Sequence, residues 1–167
     1  MKKKRLLFTI RILLVIFTIG LVLSGATAIP LVPEVAMLER GVHAPIFAPL
    51  VWPGLAAWID TVYHGVTTGY GTYPFLAYGT DWLAFGHFAI AVAFIGPLRD
   101  PLRNIWVVEF GILACALVIP FAFIMGPQRG IPFFWQLIDC SFGVVGIIPL
   151  WISRSLIKRL AALPADG

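Results

Sequence analysis

Charge is scarce in this chain. Only 12% of its 167 residues are Asp, Glu, Lys or Arg, while 60% are hydrophobic. Soluble domains run nearer a quarter charged and half apolar. That imbalance excludes a soluble globular enzyme, a disordered tail and a nucleic-acid-binding module. Cysteine is scarcer still: Cys115 and Cys140 are the only two, which excludes a disulfide scaffold. There is no Gly-rich phosphate loop, no Ser–His arrangement of recognised nucleophile spacing and no H-x-x-x-H, E-x-x-H or C-x-x-C pattern. Nucleotide-dependent, serine-nucleophile and common zinc enzymes lose their usual signatures with these. Internal repeats, low-complexity tracts and separate soluble domains are also lacking.

Long apolar runs are what the sequence does have. Four are long enough to cross a bilayer, which takes about 20 residues of helix. They cover residues 6–28, 75–98, 105–125 and 131–153. The links 96–104 and 126–130 are short and rich in proline and glycine, so they read as turns between antiparallel neighbours. The fold class is therefore an all-α integral membrane protein: one membrane domain, an antiparallel bundle of four transmembrane helices.

The net charge of +4 is distributed along the chain by side. Lys2, Lys3, Lys4, Arg5 and Arg11 flank the first run, Arg99 and Arg103 lie between the second and third, and Arg154, Lys158 and Arg159 follow the fourth. Only Arg40 and Arg129 fall on the opposite side if all four runs cross. Positive loops stay cytoplasmic, so both termini are expected inside. Ala26-Thr27-Ala28 also offers an A-x-A signal-peptidase site. A retained anchor is the preferred reading, because the apolar run begins before Arg11.

Residues 29–74 form the one long outer connection. Pro30, Pro33, Pro45, Pro49, Pro53 and Pro74 forbid a single long helix. Short helices are expected from Glu34 to Arg40 and from Pro53 to His64, with residues 67–74 as a flexible approach to the second run. Trp52, Trp58, Tyr63, Tyr70, Tyr73 and Tyr78 are rings that favour the headgroup layer. The segment reads as a cap lying in the outer interface.

Ionisable groups inside the apolar runs are costly and mark function or internal pairing. By helix rise, His87 sits near the midplane, Asp139 about 4–5 Å and Asp81 about 9 Å toward the outside, and Glu109 and Arg11 about 9 Å toward the cytoplasm. Matched depth makes Arg11 and Glu109 a candidate structural ion pair. Asp81, His87 and Asp139 make a candidate polar intramembrane site, read first as interhelical hydrogen bonding and second as a proton relay or ligand site. Asp139, Gly143, Gly146 and Leu150 recur at helical spacing, which turns the carboxylate into the bundle. His64, Asp81, His87, Asp139 and Cys140 are the metal-ligating types at hand, and His43, His64 and His87 the haem ligands. Their spacing matches no known site, so no metal and no cofactor is expected. Cys115 and Cys140 are expected to be free, buried thiols.

Residues 78–87, Tyr-Gly-Thr-Asp-Trp-Leu-Ala-Phe-Gly-His, followed by Gly96-Pro97-Leu98-Arg99-Asp100-Pro101-Leu102-Arg103-Asn104-Ile105-Trp106, resemble an uncharacterised family of small bacterial multi-pass membrane proteins. The resemblance covers residues 74–153. It implies an inner-membrane location and supplies no activity and no site residues.

Three functional classes remain. The preferred one is a non-catalytic membrane protein: accessory subunit, assembly factor or scaffold. The second is a small-ligand or proton-linked binding or permeation protein built on Asp81, His87 and Asp139. The third is an intramembrane enzyme or redox protein using His87 with Asp81 or Asp139 as acid and base. The expected partners are the lipid bilayer and either another protein or further copies of the chain, with no nucleic acid.

Overall fold

The computed structural model describes residues 2–164. Residues 1 and 165–167, the extreme ends of the expected cytoplasmic termini, lie outside it. The described chain is all helical: α1 (Lys2–Ala28), α2 (Leu31–His43), α3 (Pro53–Thr72), α4 (Ala77–Ala93), α5 (Ile95–Arg99), α6 (Ile105–Gln128) and α7 (Phe133–Ala161). Short 3-10 turns sit at Ala48–Leu50 and Pro74–Leu76. Four segments are long and apolar enough to cross a membrane: Lys3–Ala28, Pro74–Arg99, Ile105–Gln128 and Phe133–Ala161. The first and third have mean hydropathy 2.7 and 2.5, the second and fourth 1.5 and 1.6.

The helices carry an apolar exterior. Phe121 is 67% and Phe142 70% exposed, with Phe8, Leu23, Val145 and Ile148 also turned outward. Exposed apolar side chains on helices of this length are what lipid, rather than water, solvates.

The chain divides into two compact units, residues 1–21 with 90–167, and residues 22–89. The division falls within α1 and within α4. In the first unit, α6 and α7 run antiparallel along their lengths: Glu109 meets Arg154, Gly111 meets Leu150, Cys115 meets Gly143 and Gly126 meets Gln136. Small residues let the backbones approach. A Cβ on Gly143 would lie 2.5 Å from the Cys115 carbonyl oxygen. The core of this unit joins Ile10 and Leu14 of α1 to Phe94, Val107, Val108, Leu150, Ile157 and Leu160. Phe17 packs on Phe94 with ring centroids 4.9 Å apart.

Two links in this unit are self-bonded. After α6, Gly130 takes φ 68°, the left-handed backbone that glycine adopts without strain. Ile131 N–H then donates to Gly126 O, and Gly130 N–H to Pro127 O, which closes a Schellman cap. Between α5 and α6, Asn104 Nδ2 donates to Gly96 O and Asp100 O, and Asp100 Oδ1 accepts from Arg103 N–H. Pro97 and Pro101 are buried there.

In the second unit, α2 and α3 pack on each other, and each buries one side chain, Val35 on α2 and Ile59 on α3. The prolines act as expected. Pro33 lies in the first turn of α2, Pro53 opens α3, and Pro45 and Pro49 fall in the link. Both helices outrun the sequence expectation: α2 reaches His43, and α3 continues to Thr72 through Gly65, Gly69 and Gly71. The expected flexible approach is therefore mostly helix. Glycine in a helix costs about 1 kcal/mol against alanine, yet this stretch is helical to Thr72. The link exposes Ile46 (73%) and Leu50 (82%) at its tip. The end of α1 packs on α4, where a Cβ on Gly25 would lie 2.9 Å from His87 Cβ.

Candidate functional site

The polar residues of the apolar helices are placed differently from the expectation. Glu109 does not pair with Arg11. Its Oε1 accepts from Arg154 Nε at 2.7 Å. The reason is the length of α7. An apolar run ending at residue 153 leaves Arg154 in a loop, whereas α7 continues to Ala161. Arg154 is thereby still helical, and it stands level with Glu109 on the antiparallel neighbour. Arg11 instead donates from Nε to Leu98 O at 3.1 Å and from Nη2 to Arg99 O at 3.5 Å. Those carbonyls end α5, where helical acceptors lack intrahelical donors, so a guanidinium on α1 holds the turn that leads into α6.

Asp81 and His87 lie six residues apart on α4, about 240° around the helix, and the structure does not bring them together. Asp81 is exposed and sits in an open, shallow depression with Tyr78, Trp82 and Phe85. The three rings form an edge-to-face ladder, with centroids 5.8 and 5.4 Å apart. His87 Nδ1 donates to Leu83 O at 2.8 Å, one turn back along the same helix. Asp139 belongs to the other unit. It is half-buried beside the buried Cys140 and has no hydrogen-bond partner among the described residues of that unit. The buried stripe of α7 is Gln136, Cys140, Gly143, Leu150, Ser153, Ile157 and Leu160, which puts Asp139 on its flank. Cys115 and Cys140 are free thiols.

The structure assembles a different cluster, on the outer hairpin. Glu39 and His43 on α2 and Asp60 on α3 place their ligating atoms within 4.8 Å of one another. His43 Nε2 and Asp60 Oδ1 are 2.8 Å apart. The hydrogen bond to Asp60, and then the Asp60 charge, raise the His43 pKa above its ordinary 6.5, and Glu39 adds to the rise. Glu39 itself has no Lys or Arg within ion-pair reach among the described residues.

The signal for half of this cluster is in the sequence. Glu39-Arg40-Gly41-Val42-His43 is an acid and a histidine at i and i+4, one face of one helix. A search for E-x-x-H passes over it by one residue. Asp60 could be added only by knowing how α3 packs on α2. The same spacing recurs as Asp60 and His64, but His64 lies against the Tyr63 ring, 5.4 Å between centroids, and outside the cluster.

No protein-family model, curated protein or solved structure matches this chain.

Proposed function

We propose that the chain is a non-catalytic multi-pass protein of the bacterial inner membrane, an accessory subunit, assembly factor or scaffold. Its four apolar helices form an antiparallel bundle with both termini in the cytoplasm. The α2–α3 hairpin is the outer interfacial cap, with Ile46, Phe47, Leu50 and Trp52 at the tip turned to the headgroup layer.

One observation carries the non-catalytic reading: the charged groups of the apolar helices with partners are spent on holding the chain together. Glu109 ties α6 to α7 through Arg154. Arg11 ties α1 to the α5–α6 turn. His87 is hydrogen-bonded within α4. A general acid and base must converge on one reacting atom, and Asp81 and His87 occupy different faces. Buried polar contacts that fasten helices are the common use of such groups in membranes.

Purification of the tagged full chain in mild detergent tests the reading. The expected result is a second protein at fixed stoichiometry. A chain that elutes as a lone monomer contradicts it.

A further inference from the structure

We propose that Glu39, His43 and Asp60 form a binding site for a zinc-type divalent cation, with three protein ligands and the remaining position left to water. The inference is independent of the accessory-protein reading and holds for any function of the chain.

The donor set is what such an ion takes. Zinc binds histidine nitrogen and carboxylate oxygen at about 2.0–2.2 Å, and three protein ligands with an open fourth position is a recurrent arrangement. Here one imidazole and two carboxylates come from two different helices, and their ligating atoms already lie within 4.8 Å of one another. Glu39 and His43 are one turn apart on α2, so both reach the same point from one helix face. Asp60 reaches it from α3, already 2.8 Å from His43 Nε2. Inserting a cation between Nε2 and Oδ1 requires that contact to open by about half an ångström, given the metal–ligand lengths above. Side-chain rotation at this exposed position supplies the movement.

Charge points the same way. Two carboxylates face one imidazole, and neither has a Lys or Arg in ion-pair reach among the described residues. A single protonated histidine neutralises one of them. A divalent cation neutralises both while His43 is neutral and ligating. The imidazole favours zinc over magnesium or calcium, which select oxygen donors.

The test is zinc titration of the purified full-length protein in detergent against a chromophoric chelator. One zinc per chain is expected, with affinity reduced at least tenfold by each of His43→Ala, Glu39→Gln and Asp60→Asn, and unchanged within threefold by His64→Ala. Excess magnesium should not displace it. Helix content by circular dichroism checks that each variant is folded. If a variant misfolds, cobalt loading of the unmodified protein still decides: a saturable visible band at one cobalt per chain, lost on adding zinc, is expected. Three results would each overturn the site: no one-to-one zinc or cobalt binding, binding that survives His43→Ala within threefold, or an inert Glu39→Gln.

Discussion

At the scale of single residues, two contacts set measurable behaviour. Asp60 and, more weakly, Glu39 raise the His43 pKa above its ordinary value. Its titration midpoint in the folded protein should lie above 6.5, and Asp60→Asn should bring it back down; NMR of the His43 ring reads both. The sign for stability follows from linkage. A histidine whose folded-state pKa is raised contributes fully below its unfolded value, and the contribution is lost as pH rises through the folded value. The hairpin should therefore loosen slightly between mildly acidic and mildly alkaline pH, and Asp60→Asn should reduce that dependence, leaving only the smaller part due to Glu39. The second contact is Glu109 with Arg154. A double-mutant cycle with Glu109→Gln and Arg154→Gln should give a coupling of about 0.6 kcal/mol and no more than about 1.7, the mean and the maximum for polar contacts between membrane helices. The same cycle with Arg11 in place of Arg154 should give a coupling near zero, because Arg11 bonds to carbonyls of Leu98 and Arg99.

At the scale of helices, glycine placement determines how closely α6 and α7 approach. Gly143→Ala puts a methyl 2.5 Å from the Cys115 carbonyl oxygen, and backbone cannot swing aside as a side chain does. The expected loss is about 1–3 kcal/mol, the usual cost of overpacking. Gly20→Ala meets nothing within 4 Å and should stay within about 0.5 kcal/mol. Thermal unfolding in detergent compares the two. This is also the scale at which the sequence is most informative. Four spans, their short links and the helix breaks at prolines follow from hydropathy and backbone chemistry alone. Helix ends are less legible. Arg154, Lys158 and Arg159 look like a cytoplasmic tail by charge, yet α7 runs through them, since a charged helix needs no lipid to continue. That one extension removes the expected Arg11–Glu109 pair. Depth along an axis can be counted from rise per residue, but azimuth and neighbour identity cannot, which is why Asp81 and His87 seemed to share a site. The Glu39–His43–Asp60 cluster is half legible, because one helix face is periodic in sequence and the packing of the next helix is not.

At the scale of the whole molecule, four helices long and apolar enough to cross a membrane, with large apolar side chains exposed, describe a multi-pass membrane protein. The proposed outward placement of α2 and α3 rests on the distribution of Lys and Arg. The interfacial role proposed for the hairpin tip depends on which compartment it faces, whereas the cation site does not. Single-cysteine labelling in intact cells with a membrane-impermeant maleimide tests this most directly, in a background of Cys115→Ala and Cys140→Ala. Thr67→Cys and Arg129→Cys should label from outside, whereas Arg103→Cys and Pro164→Cys should label only after lysis. Labelling of Arg103→Cys or Pro164→Cys in intact cells, or protection of Thr67→Cys, would contradict four crossings with both ends inside.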